Sequence, residues 1–366
     1  MKKIILFIII LIFLYQQIFS EIKLIGEFIN HTSSVSSIVF STDGKFIISG
    51  GFDARINIYD TKKLNLIKSI NNSEPVESVI VSSNSKFILT GGRNGGIRFW
   101  NLKTFELLKY FETEMNEIFA LDFLDNSIFI AGGRNKFEII NINNFKTVKK
   151  DFFNGFAVRD AKFTKNGRYL AMVIGNKIRI YKLEQSNLIS QLFNKNALNF
   201  NFLQELEFPD LIYTIDISPN SQYLIAAGNS SYLSLIRIED LAHLWSIKAH
   251  DSIIWDIKFS PDNKSIATAG KDAAIKFIDI ETGKILFIIA GHPDEIYSLD
   301  FSPEGNYLAT ACRDGKIRIW QISQNMFFKT DFLKIKYLII FIILFIILLI
   351  LKLFKKKKKS VKNWHI

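Results

Sequence analysis

Residues 291–320 read GHPDEIYSLDFSPEGNYLATACRDGKIRIW. The run Ile296-Tyr-Ser-Leu-Asp-Phe301 meets a turn at Ser302-Pro-Glu-Gly305. A second apolar strand, Tyr307 to Cys312, meets a turn at Arg313-Asp-Gly315, and a third ends on Trp320. Alternating strands broken by Gly, Pro, Asn and Asp turns are the grammar of antiparallel hairpins. Working outward, the opening pattern recurs at Val35–Phe40, Val76–Val81, Ile118–Phe123, Val158–Phe163, Ile212–Ile217 and Ile254–Phe259. Successive starts lie 41, 42, 40, 54, 42 and 42 residues apart. A period near 42 marks a repeat architecture, in which each unit buries its apolar face only against its neighbours. Four strands per unit and seven units predict an all-β, seven-bladed β-propeller over residues 21–325.

The repeat resembles the WD40 (G-beta-like) family. His292, Thr310, Asp314 and Trp320 fall at the spacing of that family's structural tetrad. The resemblance implies hydrogen bonds among the four inside one blade. The His-to-Asp spacing of 22 recurs as His31 to Asp53 and His250 to Asp272, with Ser49 and Thr268 in the Ser/Thr place and Tyr59 and Ile278 in the Trp place. The second unit offers Asn72, Thr90, Asn94 and Trp100. The third and fourth units have a turn one residue shorter, and the fifth has Ala226 and Ser230 at tetrad positions. Those blades are expected to rely on apolar packing. Residues 22–28 resemble the last strand of a blade, as in 284–289, and the seventh unit lacks such a strand after Trp320. The N-terminal segment is therefore expected to complete the last blade, leaving no free edge.

The ends differ from this middle. Lys2 and Lys3 precede a 12-residue apolar run, Ile4 to Tyr15, the pattern of a signal peptide or signal anchor over residues 1–20. Tyr337 to Leu351 is 15 uncharged residues, followed by Lys352 and the lysine run 355–359. Fifteen helical residues rise about 22 Å, and the stems of Lys336 and Lys352 extend that reach. A transmembrane helix is expected over 336–354, with a basic cytosolic tail over 355–366. The formal charge of +11 sits almost wholly in these ends. Lys2 and Lys3 supply +2, and 326–366, with ten lysines and one aspartate, supply +9. The middle is neutral, which argues against nucleic acid as a partner. The lysine bias places the tail in the cytosol and the propeller in the lumen or outside the cell. The tail can also contact anionic lipid. The expected location is a single-pass membrane protein of the endoplasmic reticulum, another endomembrane or the cell surface.

Cys312 is the single cysteine, so no intrachain disulfide is possible. No nucleophile-base pair, phosphate loop or metal spacing occurs, so the expectation is a non-enzyme without cofactor or metal. The resemblance implies that the residue after the first apolar position of each unit lies at the channel mouth, where propellers of this kind bind protein or peptide partners. Here these are Ser36, Glu77, Phe119, Arg159, Tyr213, Trp255 and Tyr297. Arg93, Lys271 and Arg313 precede the turn Asp, or Asn94 in the second unit. Aromatic and Arg side chains bury much area with few rotors. The 54-residue spacing marks an insertion around 194–204, expected on the same face. The alternative reading is a Sec12-like exchange factor with a cytosolic propeller, which the lysine bias opposes.

Overall fold

Strand burial follows the alternation. Ile254–Phe259 buries Ile254, Asp256, Ile257 and Phe259 and leaves Trp255 and Lys258 half-buried. The structure, a computed structural model, describes residues 22–185 and 198–322. Residues 21–323 form one compact unit, and residues 1–20 and 324–366 lie outside the described residues. The expected leader and transmembrane helix therefore fall outside them as well. Among the described residues no helix is long and apolar enough to cross a membrane.

The described residues form a β-propeller of antiparallel sheets. Five sheets have four strands and one has six. The expectation of seven separate blades is corrected to six sheets. The third and fourth units share the six-stranded sheet, because two strands run on where other units turn. Ile128–Asn141 pairs with Ile118–Phe123 through Phe129–Gly133 and with Lys146–Phe163 through Arg134–Asn141. Lys146–Phe163 then pairs with Tyr169–Ile174 through Val158–Phe163. The turn Arg134-Asn135, one residue shorter than its counterpart at 52–54, keeps the first strand continuous, with Asn135 at φ 61°.

The innermost strands lie side by side around a channel, and Ile296–Phe301 returns to lie beside Val35–Phe40. The sheet there has the order Lys23–Phe28, Ile317–Gln321, Tyr307–Cys312, Ile296–Phe301. Its first strand comes from the start of the propeller. Lys23 pairs with Gln321 and Phe28 with Ile317. Glu27 reinforces this seam through Lys316 at 2.7 Å and Arg318 at 3.0 Å. Between sheets lie layers of Ile, Leu, Val and Phe. Phe28, Ile38, Ile47 and Tyr59 pack on Ala309, Ile317 and Ile319, joining last sheet to first. Each such Ile or Phe contributes about 1.5–3 kcal/mol by leaving water. Gly50 and Gly91 have no side chain because Val76 and Ile118 of the next unit rest against their backbones.

The 194–204 insertion is placed differently from expectation. Residues 198–204 lie in the strand Leu198–Glu207, paired with Lys177–Gln185. The extra length stretches an outer hairpin. Lys177 pairs with Ile174 and Glu207, and Ile174 pairs with Val158 beside Arg159. Gln185 and Leu198 are at the other end of these strands. The hairpin therefore extends from the face opposite Arg159.

The tetrads form to different degrees. His31 bonds Asp53 at 2.9 Å and Ser49 at 2.8 Å, and His250 bonds Asp272 at 2.8 Å and Thr268 at 2.7 Å. Burial alone would raise the Asp272 carboxyl, but the His250 hydrogen bond and charge outweigh it and hold it at about 2. Tyr59, in the Trp place, stacks on Phe28 at 4.3 Å. In the second unit Trp100 donates to Thr90 and Thr90 to Asn72, while Glu74 accepts the Asn94 N–H at 2.8 Å and pairs with Arg98. The last unit, the fullest match by residue type, is open at one link. His292 bonds Thr310 at 3.0 Å and Trp320 donates to Thr310 at 3.3 Å. Asp314, however, turns to Arg318 at 2.7 Å, and His292 Nδ1 is buried without a partner. An arginine four residues on outcompetes a neutral imidazole for the carboxylate.

Candidate functional site

The second residue of an inner strand points into the channel because the first is locked into the core between sheets. Val35, Val76, Ile118, Val158, Ile212, Ile254 and Ile296 are all buried. A cavity of about 650 Å³ opens among the next residues, Ser36, Glu77, Phe119, Arg159, Tyr213, Trp255 and Tyr297. All seven mouth positions expected from the repeat thus line one opening.

Five of these side chains, Phe119, Arg159, Tyr213, Trp255 and Tyr297, form a stacked belt. The Arg159 guanidinium lies 4.3 Å from the Phe119 ring centre and 5.9 Å from that of Tyr213. Tyr213 stacks on Trp255 at 5.4 Å, and Trp255 meets Tyr297 edge-on at 6.0 Å. Tyr297 reaches Phe52 at 6.4 Å, and Arg93 covers Phe52 at 4.2 Å. Such contacts add about 0.5–1.5 kcal/mol each beyond burial. Sequence reasoning missed Phe52, which sits beside a turn Asp where other units carry Arg or Lys. Around the belt, turn arginines pair with glutamates from the starts of inner strands. Arg93 pairs with Glu77, Arg134 with Glu117 at 2.6 Å, and Arg313 with Glu295 at 3.1 Å. Glu295 also accepts the Trp255 indole N–H at 2.9 Å and fixes that ring. Lys271 is exposed on the turn after Trp255's strand pair, its backbone N–H held by the Ile253 carbonyl at 2.9 Å.

Below the mouth the channel is charged. Asp122, Lys162, Asp216, Lys258 and Asp300 occupy the fifth position of successive inner strands, and Asp160 and Asp256 the third. Each aspartate accepts a backbone N–H from a neighbouring inner strand. Asp122 takes that of Phe163 (2.6 Å), Asp160 that of Ile215 (2.9 Å), Asp216 that of Phe259 (2.7 Å), Asp256 that of Leu299 (2.9 Å) and Asp300 that of Phe40 (2.7 Å). Adjacent blades make no continuous ladder here, so the carboxylates satisfy donors that would otherwise be orphaned. Lys162 neutralises Asp160 at 3.0 Å. Burial pushes Asp122 up to about 6 and Asp300 up to about 7, against the opposing pull of Lys162 and Lys258. These charges stitch the ring together. They were visible as the alternation Asp-Lys-Asp-Lys-Asp down the repeat and were not singled out.

Among the described residues no group of three His, Cys, Asp or Glu side chains is arranged to hold a metal ion. Cys312 is buried, and burial pushes its thiol up to about 11, far from a nucleophile's range.

Residues 22–60, 64–101 and 283–321 match the family profile described as WD domain, G-beta repeat. Over these three stretches the chain carries WD40 repeats. The first matched stretch begins on the strand that completes the last sheet of the propeller, and the third ends on that strand's partner. Residues 216–296 match the profile described as Anaphase-promoting complex subunit 4 WD40 domain. No curated protein matches the chain.

Proposed function

We propose that the chain is a non-catalytic scaffold whose WD40 propeller captures a protein or peptide partner at the aromatic mouth. The belt from Phe119 through Arg159, Tyr213, Trp255 and Tyr297 to Phe52 carries this reading. It is a half-buried, rigid, aromatic-rich opening of the composition that hot spots favour. The chain is single-pass, with residues 1–20 as leader, 336–354 in the bilayer, the lysine tail in the cytosol and the propeller lumenal.

The mouth is tested by partner capture with the full-length protein. Trp255→Ala and Tyr297→Ala remove two belt members without touching the core between sheets. Both are expected to fold and to lose the partner. Unchanged capture by the folded variants removes the mouth as the site. Topology is tested by protease treatment of intact microsomes. Protection of the propeller, or endoglycosidase-sensitive mass at exposed sequons such as Asn30 and Asn71, supports the lumenal placement. Digestion overturns it and favours the cytosolic, Sec12-like arrangement.

A further inference from the structure

We propose that the mouth takes an acidic peptide segment, with Arg159 and Lys271 as the groups that receive its carboxylates. The inference rests on the mouth being the binding site and adds the chemistry of the ligand.

The argument is one of charge matching around the rim. Three turn arginines are already satisfied, Arg93 by Glu77, Arg134 by Glu117, and Arg313 by Glu295 with Asp294 at 3.7 Å. Asp272 is taken by His250 and Lys276. Two cations break the pattern. Arg159 and Lys271 are exposed, and among the described residues neither has a carboxylate within ion-pair distance. Glu77 feels the Arg159 charge only at longer range, while its own hydrogen bond goes to Arg93. Both unmatched cations stand on backbone next to the elements that carry one aromatic pair, Tyr213 and Trp255. Arg159 lies against Tyr213, and Lys271 is tethered to Ile253, two residues before Trp255, which stacks on Tyr213.

The Arg159 guanidinium has both neighbouring ring faces against it, so part of its hydration is already lost. A guanidinium in that state offers its planar fork to a carboxylate at lower cost than a free one. A cationic ligand would have the reverse experience. Every rim glutamate named above is occupied by an arginine that it would have to displace. The channel aspartates below are turned to backbone N–H groups of the wall, and Lys162 and Lys258 among them offset part of their charge.

The test is selection from an unbiased displayed peptide library on the full-length protein in detergent, with wild type, Arg159→Glu, Lys271→Glu and Trp255→Ala in parallel. Equal melting temperatures certify folding. The expected result is enrichment of Asp- and Glu-rich peptides by wild type. Either charge reversal should abolish that acidic bias, and Arg159→Ala should weaken a selected peptide on the order of tenfold. Peptides without acidic bias, yet lost in Trp255→Ala, keep the mouth and overturn the acidic ligand. An acidic bias that survives both charge reversals assigns the carboxylates to other groups and also overturns it. No enrichment by wild type overturns both readings.

Discussion

His250 and His292 occupy equivalent places and face different consequences. His250 is held on both ring nitrogens, by Asp272 and Thr268. His250→Ala strands a buried hydroxyl and a half-buried carboxylate and should cost about 2–3 kcal/mol, read as a lower urea midpoint at unchanged m-value. His292 has one partner, and its Nδ1 is sealed from water. Burial and the nearby Arg318 charge push it down to about 4 from its ordinary 6.5. Above pH 6.5 the imidazole is neutral in folded and unfolded chains alike. Between pH 6.5 and 4 the unfolded chain takes up a proton that the fold refuses, so stability falls as pH drops, by on the order of 3 kcal/mol in full. Asp300, raised to about 7, acts with the opposite sign over much of that window, since its protonated form is the one the fold holds. Comparison with His292→Gln isolates the imidazole. Between pH 7 and 4.5 wild type should lose more unfolding free energy than the variant, and parallel losses would remove His292 as the acid-sensitive group.

At the level of strands, the inner row depends on carboxylates as much as on apolar packing. Asp216→Ala leaves the Phe259 N–H unpaired in the channel wall and should cost about 1–3 kcal/mol. Asp216→Asn keeps an acceptor oxygen and should cost less. Hydrogen exchange at the Phe259 amide separates the two, with fast exchange expected in the alanine variant alone. Much of this layer was legible in the hexapeptides, whose first residues are all core and whose second residues all reach the mouth. Residues 22–28 were also legible as an outer strand, from their likeness to 284–289. Three things were not. A 54-residue spacing gives the length of an insertion but not which turn absorbs it, and the answer was the hairpin pairing Lys177–Gln185 with Leu198–Glu207. The merging of two units rests on Lys146–Phe163 running on from the third unit's outer strand into the fourth unit's inner strand, a continuity that no composition reveals. Arg318 captures Asp314 because residues four apart, across a tight turn, meet only once the hairpin has closed.

For the whole molecule, the seam between Lys23–Phe28 and Ile317–Gln321 decides whether the sheets act as one cooperative body. Removing 22–28 exposes Ile317 and Ile319, strips Tyr59 of its stacking partner and frees the outer edge of Ile317–Gln321. The deletion should broaden the thermal transition and promote association. A sharp two-state melt at wild-type temperature would show that the seam is dispensable.

That seam also makes the order of the chain arbitrary with respect to the ring. Lys23 and Gln321 are cross-strand partners, so the first and last described residues stand within a short linker of one another, roughly 5 Å between paired Cα atoms. Residue 322 joined to residue 22 by a few glycines and serines, with new ends cut at the exposed Lys62-Lys63 turn, would place the same sheets in the same circle from a different starting point. Such a circular permutant should melt cooperatively and keep the mouth intact. Its failure would mean that folding depends on where the chain starts, and not only on which strands end up side by side.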